Sequence, residues 1–161
     1  MHIGVSERSG YAVSDARLGA RWMVERVRAA RDAGLESLFL GDHHATGGSY
    51  YQNVPMLGRL LGEWGDRAAG ALFLLPLWHP VLLAEQVGTL ASMTSGRFIL
   101  QCALGGGDDR FGGMGVPLRG RVARMLVRVG ASMLHDRPEL VSDTILVLPK
   151  QHDSSTIRKA A

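Results

Sequence analysis

The segment from Gly70 to Gly115 constrains the fold most, because it carries the pattern of a complete strand-helix-strand unit that ends in glycines. The apolar run from Ala71 to Leu75 has the length of a parallel strand that is covered on both faces. Pro80 suits the first position of a helix, and apolar residues follow it at helical spacing. A second apolar strand runs from Phe98 to Ala103. The pattern predicts an α/β fold with parallel strands.

Two similar units precede this one. Short apolar strands are predicted at Ile3 to Val5 and at Leu38 to Leu40, each followed by residues with helical periodicity. We expect the first helix to be capped by Ser14 and the second to begin at Pro55. Gly96 is expected to end the third helix in a left-handed conformation. Such consecutive units are compatible with an open doubly wound sheet or with a closed barrel.

The pattern becomes weaker toward the end of the chain. A fourth helix is predicted from Leu118 to Leu134, with Val122 on its buried face. Thr144 to Leu148 is a candidate fifth strand, and Gln151 to Ala161 is polar without a period. We therefore expect one domain over residues 1–135, followed by an irregular tail over residues 136–161 whose last eleven residues are frayed.

Composition narrows the class of protein. A chain of 161 residues with 46% hydrophobic residues can bury a single core. The net charge is +3, but the arginines are spread along predicted helices without interleaved aromatics, which disfavours a nucleic-acid interface. The longest apolar stretch is broken by two prolines and a histidine, so neither a membrane span nor a secretory leader is expected. Cys102 lies in an apolar strand and is expected to be buried, which fits a cytoplasmic protein.

Titratable side chains directly follow the second predicted strand. Asp42, His43 and His44 stand where the strand ends, and an imidazole there can take up or release a proton near neutral pH. A histidine at this edge can equally bond to the backbone, and His44 is the better candidate for that structural role. Adjacent strand residues point to opposite faces, so the two histidines do not converge on one ion. We expect no metal site.

Three glycines follow the fourth predicted strand. Their bare backbone N–H groups can approach a phosphate or another anion closely. A tight turn between strand and helix explains the same residues. These glycines are Gly105, Gly106 and Gly107.

Four segments together resemble the N-terminal half of the bacterial luciferase-like family, namely AARDAG, LFLGDHH, LFLLPLWHPVLLAEQVGTLASMTSGRF and GGGDDRFGGMGVP. This family comprises flavin monooxygenases and relatives that use a deazaflavin coenzyme, and the resemblance covers Met1 to Leu134. It implies a partial TIM (β/α)8 barrel. A full barrel needs about 250 residues, and this chain contains about four βα units. We therefore expect a truncated half-barrel.

The resemblance also implies site residues. His43 matches the family's acid–base histidine beside the flavin or deazaflavin ring, and Asp42 precedes it. Ala71 and Leu72 match the step at which family members often carry a strained cis peptide against that ring. The triple glycine Gly105 to Gly107 matches part of the family's grip on the cofactor phosphate.

Three functions remain open. The resemblance implies an oxidoreductase that uses reduced FMN or a deazaflavin coenzyme of the F420 type on a small organic substrate. The alternative is a non-catalytic half-barrel that assembles with itself or with a related chain, because a parallel half-sheet leaves two free edges and one uncovered apolar face. The third is an unrelated α/β phosphate-binding protein, for which the sequence has neither a Walker A loop nor a GxGxxG after the first strand.

Overall fold

Strands and helices alternate along the chain, as the sequence predicts. The computed structural model describes residues 2–125 and, for the backbone alone, residues 143–147. In chain order the elements are β1 (Gly4–Glu7), α1 (Ala16–Asp32), β2 (Ser37–Leu40), α2 (Asn53–Trp64), β3 (Ala68–Leu74), α3 (Pro80–Met93), β4 (Phe98–Ala103), α4 (Asp108–Gly113) and β5 (Asp143–Val147). A short 3₁₀ turn, Leu75–Leu77, follows β3 because Pro76 stops the strand there.

The strands form one parallel sheet in the order β1-β2-β3-β4-β5, and each strand pairs with the next one along the chain. Every helix that connects two strands therefore moves the chain one strand further in the same direction. Because such connections are right-handed, these helices all lie on one face of the sheet. Among the strands of the described residues, the order contains no reversal of the kind that defines a doubly wound sheet. The arrangement is part of a TIM (β/α)8 barrel.

The main core lies between the sheet and the helices α1, α2 and α3. Every second residue of the central strands points into it, so Ala69, Ala71 and Phe73 of β3 are fully buried there. Trp64 at the end of α2 is also fully buried, and its indole N–H donates to the carbonyl of Ala68 at 2.9 Å. Burial of such side chains contributes about 1.5 to 3 kcal/mol each, which holds α2 against β3.

A smaller cluster covers part of the opposite sheet face. Phe111 of α4 is fully buried against Leu74, Leu77 and Ala103, so the chain after β4 folds across the C-terminal ends of β3 and β4. Sequence analysis missed α4, because a helix of six residues with two glycines has too little periodicity to detect.

Part of this same sheet face is covered by neither core cluster. Two of its residues, the half-buried Phe39 and the nearby Ile99, belong neither to the main core nor to the smaller cluster around Phe111. The Phe39 ring lies across Gly70, where a Cβ atom would come within 2.9 Å of the ring. This part of the face is the side that a closed barrel turns inward.

Three predicted helix boundaries were wrong. The helix α2 begins at Asn53, so Pro55 lies inside its first turn and does not open it. Asp15, not Ser14, caps α1, and its Oδ1 accepts the backbone N–H of Arg17 at 2.8 Å. The helix α3 ends at Met93 with an extended Thr94, so Gly96 does not terminate it. Gly96 is instead required by a close approach, because a Cβ atom there would lie 2.1 Å from the carbonyl oxygen of Asp66.

The end of the chain fits the predictions in part. The strand β5 confirms the predicted fifth strand with a shift of one residue. Residues 121–125 are helical, but Val122 is 55% exposed, so its predicted burial was wrong. The buried residue of that turn is Met125. The rest of the predicted fourth helix, the boundary at residue 135 and the tail, apart from β5, lie outside the described residues.

Two predictions from composition concern burial and membranes. Cys102 is 2% exposed, which confirms its predicted burial, and that burial raises the pKa of its thiol to about 11. Across residues 2–125 and 143–147, no helix combines the length and the apolar character needed to cross a membrane.

Candidate active site

The C-terminal ends of all the strands lie at one edge of the sheet, because the strands are parallel. Barrel enzymes build their sites at this edge. The segment from Asp42 to His44 follows β2, and the three glycines follow β4. Both segments therefore lie at this same edge. The two segments are also linked through α4, since a Cβ atom on Gly113 would lie 2.6 Å from the Cβ of Ala45.

Asp42 connects the end of β2 to the turn after β3. Its side chain is fully buried, and Oδ2 accepts the backbone N–H of Leu74 at 2.8 Å and the indole N–H of Trp78 at 2.7 Å. Oδ1 lies 2.9 Å from Nε2 of His44, close enough for an ion pair but not aligned as a hydrogen bond. The resemblance implies that Asp42 contacts the cofactor, and this stays a prediction. Its observed contacts position the turn after β3 and the ring of His44 beneath the edge.

The two histidines point in different directions. His44 packs edge-on against Trp78, with ring centroids 5.6 Å apart, and lies beside Asp42. His43 stacks at an angle on Tyr50, with centroids 4.8 Å apart, and its Nδ1 contacts the backbone carbonyl of Asp42. Sequence analysis favoured His44 for the backbone contact, and this was wrong. Within residues 2–125 and the backbone of β5, no cluster of side chains is arranged to hold a metal ion.

The backbone contact selects one tautomer of the neutral His43 ring. A carbonyl oxygen only accepts hydrogen bonds, so the tautomer that bonds to the Asp42 carbonyl carries its proton on Nδ1. In that tautomer Nε2 is the nitrogen with a free lone pair. The ring is also held in orientation by its contact with Tyr50.

A cavity of about 640 Å³ lies beside His43, between the loops that follow β1 and β2. The two loops are joined by a bridge between Gly10 and Tyr50 and by a hydrogen bond from the Tyr51 N–H to the Ser9 carbonyl at 2.9 Å. The cavity is therefore walled by segments that the backbone holds together. We name it the β1–β2 cavity. It does not include Ala71, Leu72 or the three glycines.

The wall formed by Tyr50 is polar at its tip. Its hydroxyl donates to the carbonyl of Gly41 at 3.0 Å. Burial raises the pKa of Tyr50, the nearby Ser9 hydroxyl lowers it, and the charge of Asp42 raises it further. The Oγ of Ser9 is itself buried and has no aligned hydrogen bond.

Sequence analysis missed Glu7, the last residue of β1. Its side chain lines the β1–β2 cavity, although the residue is only 6% exposed. Oε1 accepts the Tyr11 hydroxyl at 2.6 Å, and Arg26 lies 3.9 Å away. Burial raises the pKa of Glu7 against the lowering effects of Tyr11 and Arg26. The signal available in the sequence was a charged residue at the C-terminal end of a strand, where apolar residues are otherwise expected.

Ala71 and Leu72 occupy opposite faces of β3. Ala71 belongs to the core beneath the helices, and Leu72 packs against the cluster around Phe111. The peptide bond between them is trans, as are the other peptide bonds of the described residues. The carbonyl of Leu72 accepts the side-chain amide of the buried Asn53 at 2.7 Å.

The glycine turn leads directly into acidic residues. Gly105 and Gly107 have φ values of 67° and 96°, which other residues rarely adopt, so the turn itself requires glycine. Asp108 and Asp109 follow in the first turn of α4. Their carboxylates repel an anion at this point. The turn therefore has a structural reason for its glycines that is independent of any phosphate.

A second cavity lies between the helices α1 and α2. It measures about 370 Å³. Its lining includes Arg21, Arg28 and Arg59, and the last two pair with Glu63. We name it the α1–α2 groove.

The sequential parallel sheet, with His43 and a cavity at its C-terminal edge, has the architecture of part of an α/β barrel. The chain belongs to the luciferase-like monooxygenase family, whose model matches residues 1–126. It is 30% identical over 104 residues to F420-dependent glucose-6-phosphate dehydrogenase of Nakamurella multipartita. That match covers 61% of this chain and 31% of the relative.

Solved structures share the fold at low identity. One is the oxygenating constituent of 3,6-diketocamphane monooxygenase from Pseudomonas putida in complex with FMN, with a TM-score of 0.71 and 17% identity over 82% of this chain. Another is EDTA monooxygenase from Chelativorans sp. BNC1, with a TM-score of 0.69 and 14% identity over 96% of this chain. The chain covers 38% and 45% of their lengths, so it spans less than half of either protein.

Proposed function

We propose that the chain is the N-terminal part of a luciferase-like oxidoreductase in which His43 is the acid–base residue and a reduced flavin or deazaflavin is the redox partner. The orientation of His43 carries this proposal. Its Nδ1 contacts the backbone carbonyl of Asp42, and its side chain lines the β1–β2 cavity, so the tautomer that bonds to the backbone keeps Nε2 available for proton transfer. A positioned acid–base group of this kind contributes about 10²- to 10⁴-fold to a rate.

The β1–β2 cavity suits part of such a cofactor. Its volume lies within the range of about 300 to 1,000 Å³ that is typical of small-molecule sites. The buried Ser9 Oγ offers a polar atom without an aligned partner. His43 and Tyr50 would lie against the ring system, which supplies the hydride or electron chemistry when bound. The side chain of His43 would take up or deliver the proton.

The phosphate end of the cofactor has weaker support. The predicted grip at Gly105 to Gly107 is followed by Asp108 and Asp109, whose charges oppose it. Arg8 is the cation that lines the β1–β2 cavity. We therefore propose that this chain binds the ring more strongly than the phosphate, and that full affinity needs the part of the barrel that the relatives have in addition.

The choice of cofactor rests on the relatives. The dehydrogenase from Nakamurella multipartita is described as F420-dependent, and the camphane monooxygenase structure contains FMN. Both coenzymes are therefore tested in parallel. The substrate is proposed to be a small organic molecule.

The test combines binding with turnover. Oxidised FMN and F420 are titrated into the purified chain by calorimetry, and saturable binding of either one is expected. His43→Ala should leave the dissociation constant within about threefold and lower any turnover by 10²-fold or more. His79→Ala is the matched control, because His79 is exposed at the start of α3 and makes no capping hydrogen bond. Absence of saturable binding of both coenzymes would overturn the proposal.

A second candidate function is assembly without catalysis. Within the part of the chain that the structure describes, β1 and β5 are the two edges of the sheet, and the inward-facing Phe39 joins neither core cluster. A second copy of this chain, or a related chain, would cover that face and pair those edges. Native mass spectrometry separates the cases: a closed pseudo-barrel gives a discrete dimer, and a sheet with free edges gives heterogeneous aggregates.

A further inference from the structure

Ala45, which directly follows the two histidines, has an unusual backbone conformation. Its φ of 48° is the only positive value among the non-glycine residues that the structure describes. The left-handed region is unfavourable for alanine, because its Cβ atom crowds the following carbonyl oxygen. Such a conformation persists only where the surrounding structure enforces it, and strained residues of this kind cluster at functional sites. Contacts around Ala45 must therefore hold it in place.

The end of α4 lies directly against Ala45. A Cβ atom on Gly113 would lie 2.6 Å from the Cβ of Ala45, a separation that real Cβ atoms do not reach. Only glycine therefore fits at this position of α4. The helix is itself held in place, because Phe111 is fully buried and its carbonyl accepts the N–H of Val116 at 2.9 Å. Ala45 thus has a fixed neighbour.

The turn at Ala45 directs the rest of the loop after β2. A left-handed residue turns the chain sharply, and the next residues, Gly47 and Gly48 among them, impose no direction of their own. The loop nevertheless returns to His43, since the ring of Tyr50 stacks on the imidazole with centroids 4.8 Å apart. The conformation of Ala45 therefore decides whether Tyr50 reaches His43.

We propose that Ala45 and Gly113 form a positioning pair for His43, in which the close contact with α4 keeps Ala45 left-handed and the loop then holds Tyr50 against the imidazole. This inference rests on the proposed function for the role of His43 alone. Both residues of the pair act through Tyr50 and are positioning residues. The pair also links the glycine turn after β4 to His43, because α4 begins directly after Gly107.

Alanine substitutions at two adjacent glycines of α4 test this pair. Gly113→Ala introduces the clash with Ala45, whereas Gly112→Ala is the matched control, because a Cβ atom there meets nothing within 4 Å. Both variants gain the same helix propensity. The readout is the nuclear Overhauser effect between the ring protons of His43 and Tyr50, measured without coenzyme. Gly113→Ala should lose most of this effect, and Gly112→Ala should keep it.

A double substitution separates the contact from a general loss of folding. Ala45→Gly removes the clashing Cβ atom and suits a positive φ, so the double variant Ala45→Gly/Gly113→Ala should regain the wild-type effect. A wild type without the effect would overturn the inference. So would a Gly113→Ala variant that keeps the effect, or a double variant that loses it as completely as Gly113→Ala does.

Turnover of the coenzyme-loaded chain gives a second readout of the same pair. A misplacement of about 1 Å can lower a rate by about 10²-fold, so Gly113→Ala should lower turnover by about tenfold or more, and the double variant should restore it. A chain that binds neither FMN nor F420 loses the proposed function, while the Overhauser comparison still decides this inference. A chain that binds a coenzyme, and whose Gly113→Ala variant keeps the Overhauser effect, retains the proposed function and loses the pair.

Discussion

Removal of the Asp42 carboxylate should destabilise the whole edge of the sheet. This buried side chain is the acceptor for the Leu74 backbone N–H and for the Trp78 indole N–H, and it lies beside His44. Asp42→Ala deletes all three interactions at once. Asp42→Asn keeps the shape and one side-chain oxygen, so it preserves part of them.

The magnitude follows from the number of hydrogen bonds lost. A hydrogen bond to a charged group contributes about 1.5 to 3 kcal/mol, and Oδ2 accepts two of them. Asp42→Ala should therefore lower the free energy of unfolding by about 3 to 6 kcal/mol. Asp42→Asn should cost about 1 to 2 kcal/mol. Since domains of this size are stable by only about 5 to 15 kcal/mol, the alanine variant approaches the limit of folding.

Urea unfolding followed by tryptophan fluorescence measures these differences. Trp78, one of three tryptophans, donates its indole N–H to Asp42, so part of the fluorescence signal comes from this bond. Asp109→Asn is the matched control, since Asp109 is an exposed carboxylate at the start of α4, and it should stay within about 0.5 kcal/mol of wild type. A loss below about 1 kcal/mol for Asp42→Ala, or equal losses for alanine and asparagine, would refute the positioning role of Asp42.

Three further predictions concern single side chains. Hydrogen bonds from Arg28 and Arg59 lower the pKa of Glu63 from 4.5 to about 2. The Glu63 carboxylate therefore stabilises the folded chain above pH 4.5, and this stabilisation is lost as the pH falls toward 2. Acid titrations followed by circular dichroism should show that Glu63→Gln removes this loss. Burial raises the pKa of Glu7 above 4.5 in the folded chain. The protonated side chain therefore stabilises the fold below pH 4.5, and this stabilisation is lost as the pH rises through the pKa of the folded state. In urea unfolding between pH 4 and pH 8, Glu7→Gln should remove this decline in the free energy of unfolding. Cys102, with its pKa raised to about 11 by burial, should react with a disulfide reagent at pH 8 only after unfolding, whereas prompt reaction of the native chain would contradict its burial.

The secondary structure of this chain is largely predictable from its sequence. The strand from Phe98 to Ala103 was predicted with its observed ends, because continuous apolar runs between a glycine-containing turn and a glycine cluster are a strong signal for a buried parallel strand. Pro80 likewise marks the observed start of α3. Errors occurred where two adjacent residues can play the same role, as with Ser14 and Asp15 at the cap of α1.

The candidate site was only partly predictable. Asp42 and His43 were found because titratable residues stood at a strand end, but their division of roles depends on where the turn after β3 places its N–H donors. Glu7 was missed because its partners, Tyr11 and Arg26, are brought to it by the loop after β1 and by α1. The α4 segment was missed because its order comes from the burial of Phe111 and not from local periodicity.

The central claim is that a ligand binds beside His43, in the β1–β2 cavity. The most direct test is a titration of the ¹⁵N-labelled chain with FMN and with F420, followed by backbone amide NMR. We predict that the shifts concentrate in the loops after β1 and β2, at residues such as Ser9, Gly41 and Tyr50. Shifts confined to the α1–α2 groove, around Arg21 and Met56, would contradict the account.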